Sequence, residues 1–186
     1  MSRFTILDTP LADLKIVERR KMGDERGFLA RLFCTEELAA AGWRQPIAQI
    51  NHTSTQQRGS VRGLHFQHPP HAEMKLVSCL QGAIWDVAVD LRAGSPTFLQ
   101  WHAEELSATN QRALLIPEGF AHGFQTLCDG CELIYLHSVA YTQSAEAGIH
   151  AKDPTLAIAW PMAFSGFSLR DAQQPMLDSQ FKGLTP

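Results

Sequence analysis

The amino-acid sequence predicts a mainly β fold, an antiparallel sandwich or barrel of the jelly-roll type with a few short helices. Short strand-like segments recur along the middle of the chain, turn signals separate them about every 8 to 12 residues, and helical signals are sparse. In the clearest segment, 83–91, Asp86 and Asp90 alternate with apolar residues. This period of two is expected of a strand with two unlike faces.

The elements follow one another in a simple order. The predicted strands are 75–80, 83–91, 98–103, 113–116, 123–127 and 132–138, with turn signals at 81–82, 93–96, 117–119 and 129–130. A short helix is expected at 35–42, with Thr35 as its N-cap and Gly42 at its end, and a second near Ser168 that covers 169–173. No repeat or linker divides the 186 residues, so we expect one domain over 1–186.

Composition places the chain among soluble globular proteins. Hydrophobic residues make up 45% and charged residues 19%, and the formal charge of -3 provides no bulk attraction to nucleic acid or to an anionic membrane. An anionic ligand must therefore be held by local arginines and lysines. The first residues do not resemble a secretory signal peptide, and no apolar run is long enough to span a membrane, so we expect a cytoplasmic protein.

The four cysteines are too few and too irregularly spaced for a disulfide framework. Cys79 lies in an apolar strand pattern that indicates packing. Cys128 and Cys131 flank Asp129-Gly130, a pair typical of a tight hairpin turn. A zinc site would need two further ligands, so we interpret this segment as a turn.

His65 is the first candidate for chemistry. It lies in Arg-Gly-Leu-His-Phe-Gln (62–67), at the end of a β-patterned segment, and Lys75 opens a strand ten residues later. A histidine between an arginine and a lysine can act as a proton-transfer base beside an anion site. Taken alone, such a histidine is more often a half-buried residue bonded to a backbone carbonyl.

A second histidine, His122, follows a tight turn in Pro-Glu-Gly-Phe-Ala-His (117–122). The spacing Pro-x-Gly-x-x-His resembles the second signature of the cupin superfamily, which implies a double-stranded β-helix. Metal-binding cupins carry His-x-His in their first signature, where this chain has His65-Phe66-Gln67. A neutral glutamine weakens a transition-metal site, and the prolines between His68 and His71 indicate a loop. We therefore expect no metal and no other cofactor.

With both signatures in view, the chain resembles the dTDP-4-dehydrorhamnose 3,5-epimerase family from about residue 15 to residue 178. The matching features are the segments 23–28, 62–67, 75–77, 86–92, 95–98, 106–108 and 116–124, together with Gln49, Asn51, Tyr141, Glu146, Asp153-Pro154 and Trp160-Pro161. Such a series of spaced motifs is highly specific.

The resemblance implies an isomerase of deoxysugar biosynthesis that inverts C3 and C5 of a nucleotide-linked 4-keto-6-deoxyhexose. The expected substrate is dTDP-4-dehydro-6-deoxy-D-glucose and the expected product dTDP-4-dehydro-L-rhamnose. The C4 carbonyl acidifies the C–H bonds on either side, so a base can remove a proton and leave an enolate. Such an enzyme needs a base and an acid on opposite faces of the ring and a cation near the carbonyl oxygen.

By this resemblance His65 is the base, Asp171 its partner, Tyr135 the proton donor and Lys75 the cation. Each role suits its residue type: an imidazole titrates near neutral pH, a carboxylate fixes its tautomer, and a phenol keeps its proton until an enolate forms. Taken singly, Tyr135 could be a strand aromatic, Asp171 a helix-end residue and Lys75 a solvated charge. Their joint occurrence favours the catalytic interpretation.

The remaining site residues are also implied by the resemblance. Arg62 and Arg26 would bind the diphosphate, since guanidinium groups fit phosphate oxygens. Phe28 and Tyr141 would stack on a pyrimidine, and further substrate contacts would come from Gln49, Asn51, His122, Glu146 and Arg170. In this family the segment near Arg26 reaches a neighbouring subunit, which implies a homodimer.

The chain departs from the family pattern at several places. Arg31 replaces a usual glutamate, Glu73-Met74 replaces a small polar pair, Ile50 lies between Gln49 and Asn51, and Ala151 stands where tryptophan is common. Arg170 replaces a lysine and keeps the charge. The departures other than Arg170 leave the preferred nucleotide and the sugar stereochemistry open, and they do not affect the base, the acid or the lysine.

Three alternatives to the double epimerase remain at this point. The first is an epimerase that inverts only C3 or only C5. The second is a metal-dependent cupin enzyme that uses His65, His68 or His71 with His122. The third is a sugar-nucleotide binding protein without catalytic activity.

Overall fold

The computed structural model describes residues 2–185. The strands in this range are β1 (Phe4–Asp8), β2 (Lys15–Arg19), β3 (Lys21–Asp24), β4 (Gly27–Ala30), β5 (Gln49–Thr55), β6 (Ser60–Gln67), β7 (Lys75–Gln81), β8 (Ala83–Asp90), β9 (Trp101–Ser107), β10 (Arg112–Ile116), β11 (Phe120–Thr126), β12 (Cys131–His137), β13 (Glu146–Gly148) and β14 (Gly166–Phe167). The α-helices are α1 (Thr35–Ala39) and α2 (Leu169–Ala172). No helix within residues 2–185 has the length and apolar character that a membrane crossing requires.

The strands form two sheets and a separate hairpin. One sheet has the order β1-β2-β10-β7-β12-β5 and the other the order β13-β6-β11-β8-β9, while β3 pairs with β4. The eight strands β5 to β12 alternate pairwise between the sheets, with β5 beside β12, β6 beside β11, β7 beside β10 and β8 beside β9. This is the double-stranded jelly roll of the cupin type, so the predicted fold class is confirmed.

The alternation in β8 separates two buried layers. Ile84 and Ala88 point into the barrel, whereas Val87 and Val89 pack outward beneath the C-terminal segment. Fully burying an isoleucine or valine side chain of this kind contributes about 1.5 to 3 kcal/mol. Because the C-terminal segment covers the outside, the face that carries Asp86 is the barrel interior, and this aspartate is completely buried.

Two predicted strand boundaries were wrong. The strand expected at 98–103 is β9 and begins only at Trp101, because residues 97–100 form a turn in which Leu99 takes a positive φ of 59°. The side chain of Thr97 holds this turn by donating to Asp90 at 2.7 Å. The strand expected at 123–127 is β11 and begins earlier, at Phe120.

The prediction for α1 was wrong at its N-cap. Cys34 occupies that position, since its carbonyl accepts the first helical hydrogen bond from Leu38 at 3.0 Å, and Thr35 lies inside the helix. The helix ends at Ala39, before Gly42, whose φ of 108° favours glycine. The predicted turn at Asp129-Gly130 does connect β11 and β12.

Candidate active site

A cavity of about 550 Å³ opens between the two sheets of the barrel. This volume lies in the usual range for small-molecule sites. Of the residues proposed from the sequence, the cavity is lined by Gln49, Asn51, Arg62, His65, Lys75, His122, Tyr135, Tyr141, Glu146, Arg170 and Asp171. The structure thus brings together residues that are up to 122 positions apart in the chain, from Gln49 to Asp171.

One wall of the cavity holds a histidine–aspartate pair. His65 lies on β6, and its Nε2 is 2.6 Å from Oδ1 of Asp171, which α2 carries. Ser168 caps α2 by accepting from the Asp171 N–H at 3.0 Å. Burial opposes ionisation of Asp171, but the hydrogen bond and charge of His65 prevail and hold its pKa below the usual value.

This pairing decides which ring nitrogen of His65 is free. A neutral imidazole that donates its Nε2 proton to a carboxylate keeps its lone pair on Nδ1. The carboxylate also stabilises the imidazolium that forms when Nδ1 takes up a proton. His65 is therefore arranged as a base.

Tyr135 enters the cavity from the opposite sheet, on β12. Burial, and then the charge of Asp86, raise its pKa above the usual value, so the phenol keeps its proton at neutral pH. Its ring lies between those of His122 and His137, at centroid distances of 5.9 and 6.2 Å. The cavity thus has a base on one wall and a protonated phenol on the other.

A second histidine–aspartate pair lies deeper in the barrel. His122 Nε2 is 2.8 Å from Asp86 Oδ1, and both side chains are buried. Burial raises the pKa of Asp86, and the charge and hydrogen bond of His122 oppose that rise. The sequence predicts His122 as a substrate contact but not its pairing with Asp86, although the alternation of β8 places Asp86 on the face opposite the apolar residues.

Lys75 begins β7 and is held by an ion pair and a hydrogen bond. Its Nζ is 3.0 Å from Glu73 Oε1 and 3.4 Å from the backbone oxygen of His65. On the adjacent strand, burial and the charge of Lys75 lower the pKa of His137 to about 4, so this imidazole is neutral at pH 7. Glu73 and His137 both line the cavity, and neither was among the residues predicted for the site.

A polar network surrounds the mouth of the cavity. The Arg62 Nε donates to Thr55 at 3.0 Å. Glu146 accepts from the Tyr141 hydroxyl at 2.9 Å and pairs with Arg170. Gln49 and Asn51 continue this network along β5.

Arg26 and Phe28 do not reach the cavity of their own chain. They belong to the β3–β4 hairpin, where Phe28 is 60% exposed and Arg26 pairs with Asp24 at 2.6 Å. Arg31 follows the hairpin and forms an ion pair with Glu37. Hydrogen bonds from the Ser2 hydroxyl and the Arg3 N–H, together with this arginine, lower the pKa of Glu37 to about 2.

The histidines of the metal alternative do not converge. His68 packs edge-on against Phe66, and His71 lies beside the hydroxyl of Thr142, so neither lines the cavity. Among residues 2–185 no three His, Cys, Asp or Glu side chains are grouped so that they could hold a metal ion. These residues do not fit a cupin metal centre, and the absence of a cofactor stays a prediction.

Fold and site together define a class: a cupin-type jelly roll whose cavity carries acid–base groups on facing walls. Comparison with known proteins identifies the family. A model of the family described as dTDP-4-dehydrorhamnose 3,5-epimerase matches residues 8–179. The chain belongs to this family.

Individual relatives agree with that assignment. The dTDP-4-dehydrorhamnose 3,5-epimerase of Salmonella typhimurium is 42% identical over 93% of this chain and 95% of its own. The crystal structure of dTDP-6-deoxy-D-glucose-3,5-epimerase from Legionella pneumophila, in complex with dTDP-4-keto-L-rhamnose, has a TM-score of 0.91 at 38% identity and covers 98% of this chain and 99% of its own. A dTDP-4-dehydrorhamnose 3-epimerase from Streptomyces niveus is 39% identical over 88% of this chain and 79% of its own.

Proposed function

We propose that the protein is an isomerase that inverts C3 and C5 of dTDP-4-dehydro-6-deoxy-D-glucose to form dTDP-4-dehydro-L-rhamnose. The observation that carries the proposal is the placement of the His65–Asp171 pair and Tyr135 on opposite walls of one cavity. The Legionella relative, which binds dTDP-4-keto-L-rhamnose, supports the choice of substrate.

Each inversion proceeds in two proton transfers. His65 removes the proton from the carbon beside the C4 carbonyl, and the electrons of the C–H bond form an enolate with its charge on the carbonyl oxygen. Asp171 stabilises the resulting imidazolium, and Lys75 stabilises the enolate oxygen. A preorganised donor of this kind lowers a barrier by about 3 to 4 kcal/mol.

Tyr135 completes the inversion. Its hydroxyl donates a proton to the same carbon from the opposite face, which reverses the configuration. The phenolate then recovers a proton from solvent and the His65 imidazolium releases the one it took, which restores both groups. The raised pKa of Tyr135 supports this role, because the phenol does not ionise at neutral pH and therefore still has its proton when the enolate forms. Positioned acid–base groups of this kind contribute about 10² to 10⁴ in rate.

For the nucleotide, we propose that Arg62 binds the diphosphate at the mouth of the cavity.

We also propose a homodimer in which the β3–β4 hairpin of one subunit supplies Arg26 and Phe28 to the cavity of the other subunit. The hairpin supports this, since Phe28 and Leu29 are 60% and 67% exposed, which is unusual for large apolar side chains. Sedimentation of the parent and of Leu29→Lys tests it: a parent that sediments as a monomer contradicts the dimer. The cytoplasmic location stays a prediction.

The deciding experiment follows solvent deuterium into C3 and C5 of the sugar by NMR, with His65→Asn as the inactive control. We expect label at both carbons and inversion at both. The 3-epimerase relative makes a single-centre enzyme the second candidate, and label at one carbon only would establish it. Ligand binding without exchange at either carbon would indicate a binding protein.

Base preference is tested separately with thermal shifts by dTDP, UDP, GDP and CDP, because a ligand that binds the native state raises its stability. We expect the largest shift with dTDP. A larger shift with another diphosphate would contradict the proposed preference for dTDP.

A further inference from the structure

Glu73 lies in the cavity wall and contacts Lys75. Its side chain is 6% exposed and that of Lys75 9%, and the two are 3.0 Å apart. We propose that Glu73 is a positioning residue that fixes the Lys75 ammonium, with its proton, at the place where the enolate oxygen forms. The inference rests on the proposed function and assigns a role to a residue outside the proton-transfer set.

The carboxylate is itself held in a defined orientation by Gln67. The Gln67 Oε1 accepts from the Thr142 N–H at 2.6 Å, and its Nε2 donates to the His71 carbonyl at 2.9 Å. The backbone N–H and the backbone carbonyl fix which end of the Gln67 amide is oxygen and which is nitrogen. Nε2 must therefore face Glu73, and it donates to Oε2 of Glu73 at 3.1 Å. Glu73 is thus braced on one oxygen and binds Lys75 with the other.

Lys75 is fixed in turn by two contacts. Its ammonium forms an ion pair with Glu73 and donates one hydrogen bond to the His65 backbone oxygen, at 3.4 Å. An ammonium has three donors, so the bond to His65 leaves donors for the cavity. The contact with the His65 backbone also links the position of the cation to the strand that carries the base.

Other ionisable groups face this pair from four elements. They are His65 on β6, Asp86 on β8, His122 on β11 with Glu118 in the turn before it, and Tyr135 and His137 on β12. Asp86 is paired with His122, and His137 is neutral at pH 7. Within residues 2–185, Glu73 is therefore the carboxylate in direct contact with Lys75, and its removal leaves a buried ammonium without an ion-pair partner, while the charge of Asp86 acts on it from farther away.

The test is Glu73→Gln, assayed by deuterium exchange and by kcat and KM between about pH 6 and pH 10. A buried ammonium without its counter-charge releases its proton at lower pH, so the alkaline limit of kcat should fall by about one to three pH units. KM should stay close to that of the parent, because Glu73 does not bind the nucleotide. In a Lys75→Met background, Glu73→Gln should have no further effect.

The matched control is Glu118→Gln. Glu118 lies outside the cavity lining, and burial followed by the charge of Glu73 raises its pKa, so it is a nearby carboxylate without contact to Lys75. This variant should keep the kcat and the pH profile of the parent. Glu73→Asp, which keeps the charge on a shorter side chain, should lower kcat while its alkaline limit stays near that of the parent.

A pH profile of Glu73→Gln that superimposes on the parent profile would overturn the inference, as would an equal loss of kcat with and without Lys75. If Glu73→Gln does not fold, an unchanged kcat in Glu73→Asp has the same meaning. A parent protein without exchange at either carbon would refute the proposed function instead, so the two failures are distinguishable.

Discussion

Replacing Asp171 with asparagine removes the negative charge beside His65 while it keeps the size of the side chain. The Nε2–Oδ1 distance of 2.6 Å, in a pair whose aspartate side chain is 5% exposed, places the two charge centres about 4 Å apart once His65 is protonated. At an effective dielectric constant of about 20, Coulomb's law gives about 4 kcal/mol at that separation. Since about 1.4 kcal/mol corresponds to a factor of ten, kcat should fall about 10³-fold.

The assay is deuterium exchange at C3 and C5 together with kcat and KM for the dTDP sugar. KM should change little, because Asp171 acts through His65 and not on the nucleotide. Asp178→Asn is the matched control, since Asp178 is an exposed carboxylate on the C-terminal segment outside the cavity. A folded Asp171→Asn protein with a kcat within about tenfold of the parent would refute the electrostatic reasoning.

Three further predictions test other parts of the site. Tyr135→Phe should lower epimerisation about 10²- to 10⁴-fold but keep deuterium exchange, since His65 can return deuterium to the face from which it took the proton. NMR distinguishes exchange from inversion, and equal losses of both would contradict the assigned roles. Arg62→Ala should raise KM about 10- to 100-fold with little change in kcat, because it removes charge-assisted bonds to the diphosphate; steady-state kinetics would count against this if kcat fell instead. His137 is held neutral in the folded state, where its pKa is about 4, against about 6.5 in the unfolded state. Between these two values the unfolded state binds more protons, so the free energy of unfolding should fall as the pH drops from about 6.5 to about 4. Urea denaturation should show a smaller decline in His137→Gln, and an identical decline would oppose this reasoning.

The β character of the chain could be predicted because a strand pattern is local. The alternation of 83–91 and the turn at Asp129-Gly130 are visible in neighbouring residues, and both appear in the structure. The start of β9 was missed because residues 97–100 resemble a strand but are held in a turn by contacts to Asp90. The N-cap of α1 was misplaced by one residue, since Thr35 has the right chemistry but Cys34 supplies the first acceptor.

For the site, the sequence predicted which residues belong to it but not the contacts among them. His65, Lys75, Tyr135 and Asp171 could be selected because they occupy motifs of a recognisable family, and all four line one cavity. Their individual roles stay predictions. Glu73 was noticed only as a departure from the family pattern, because its significance depends on a contact with Lys75 and on the brace from Gln67.

The sequence by itself determined the fold class, the family and the chemical types at the site. Alternation with a period of two is a property of a single strand, and a motif is recognised by the spacing of its residues along the chain. Both can therefore be identified without the tertiary structure. Which groups face one another was decided by the tertiary structure alone. The pairing of His122 with Asp86, and the position of Tyr135 across from His65, depend on strand register and on the closure of two sheets, which bring together residues far apart along the chain.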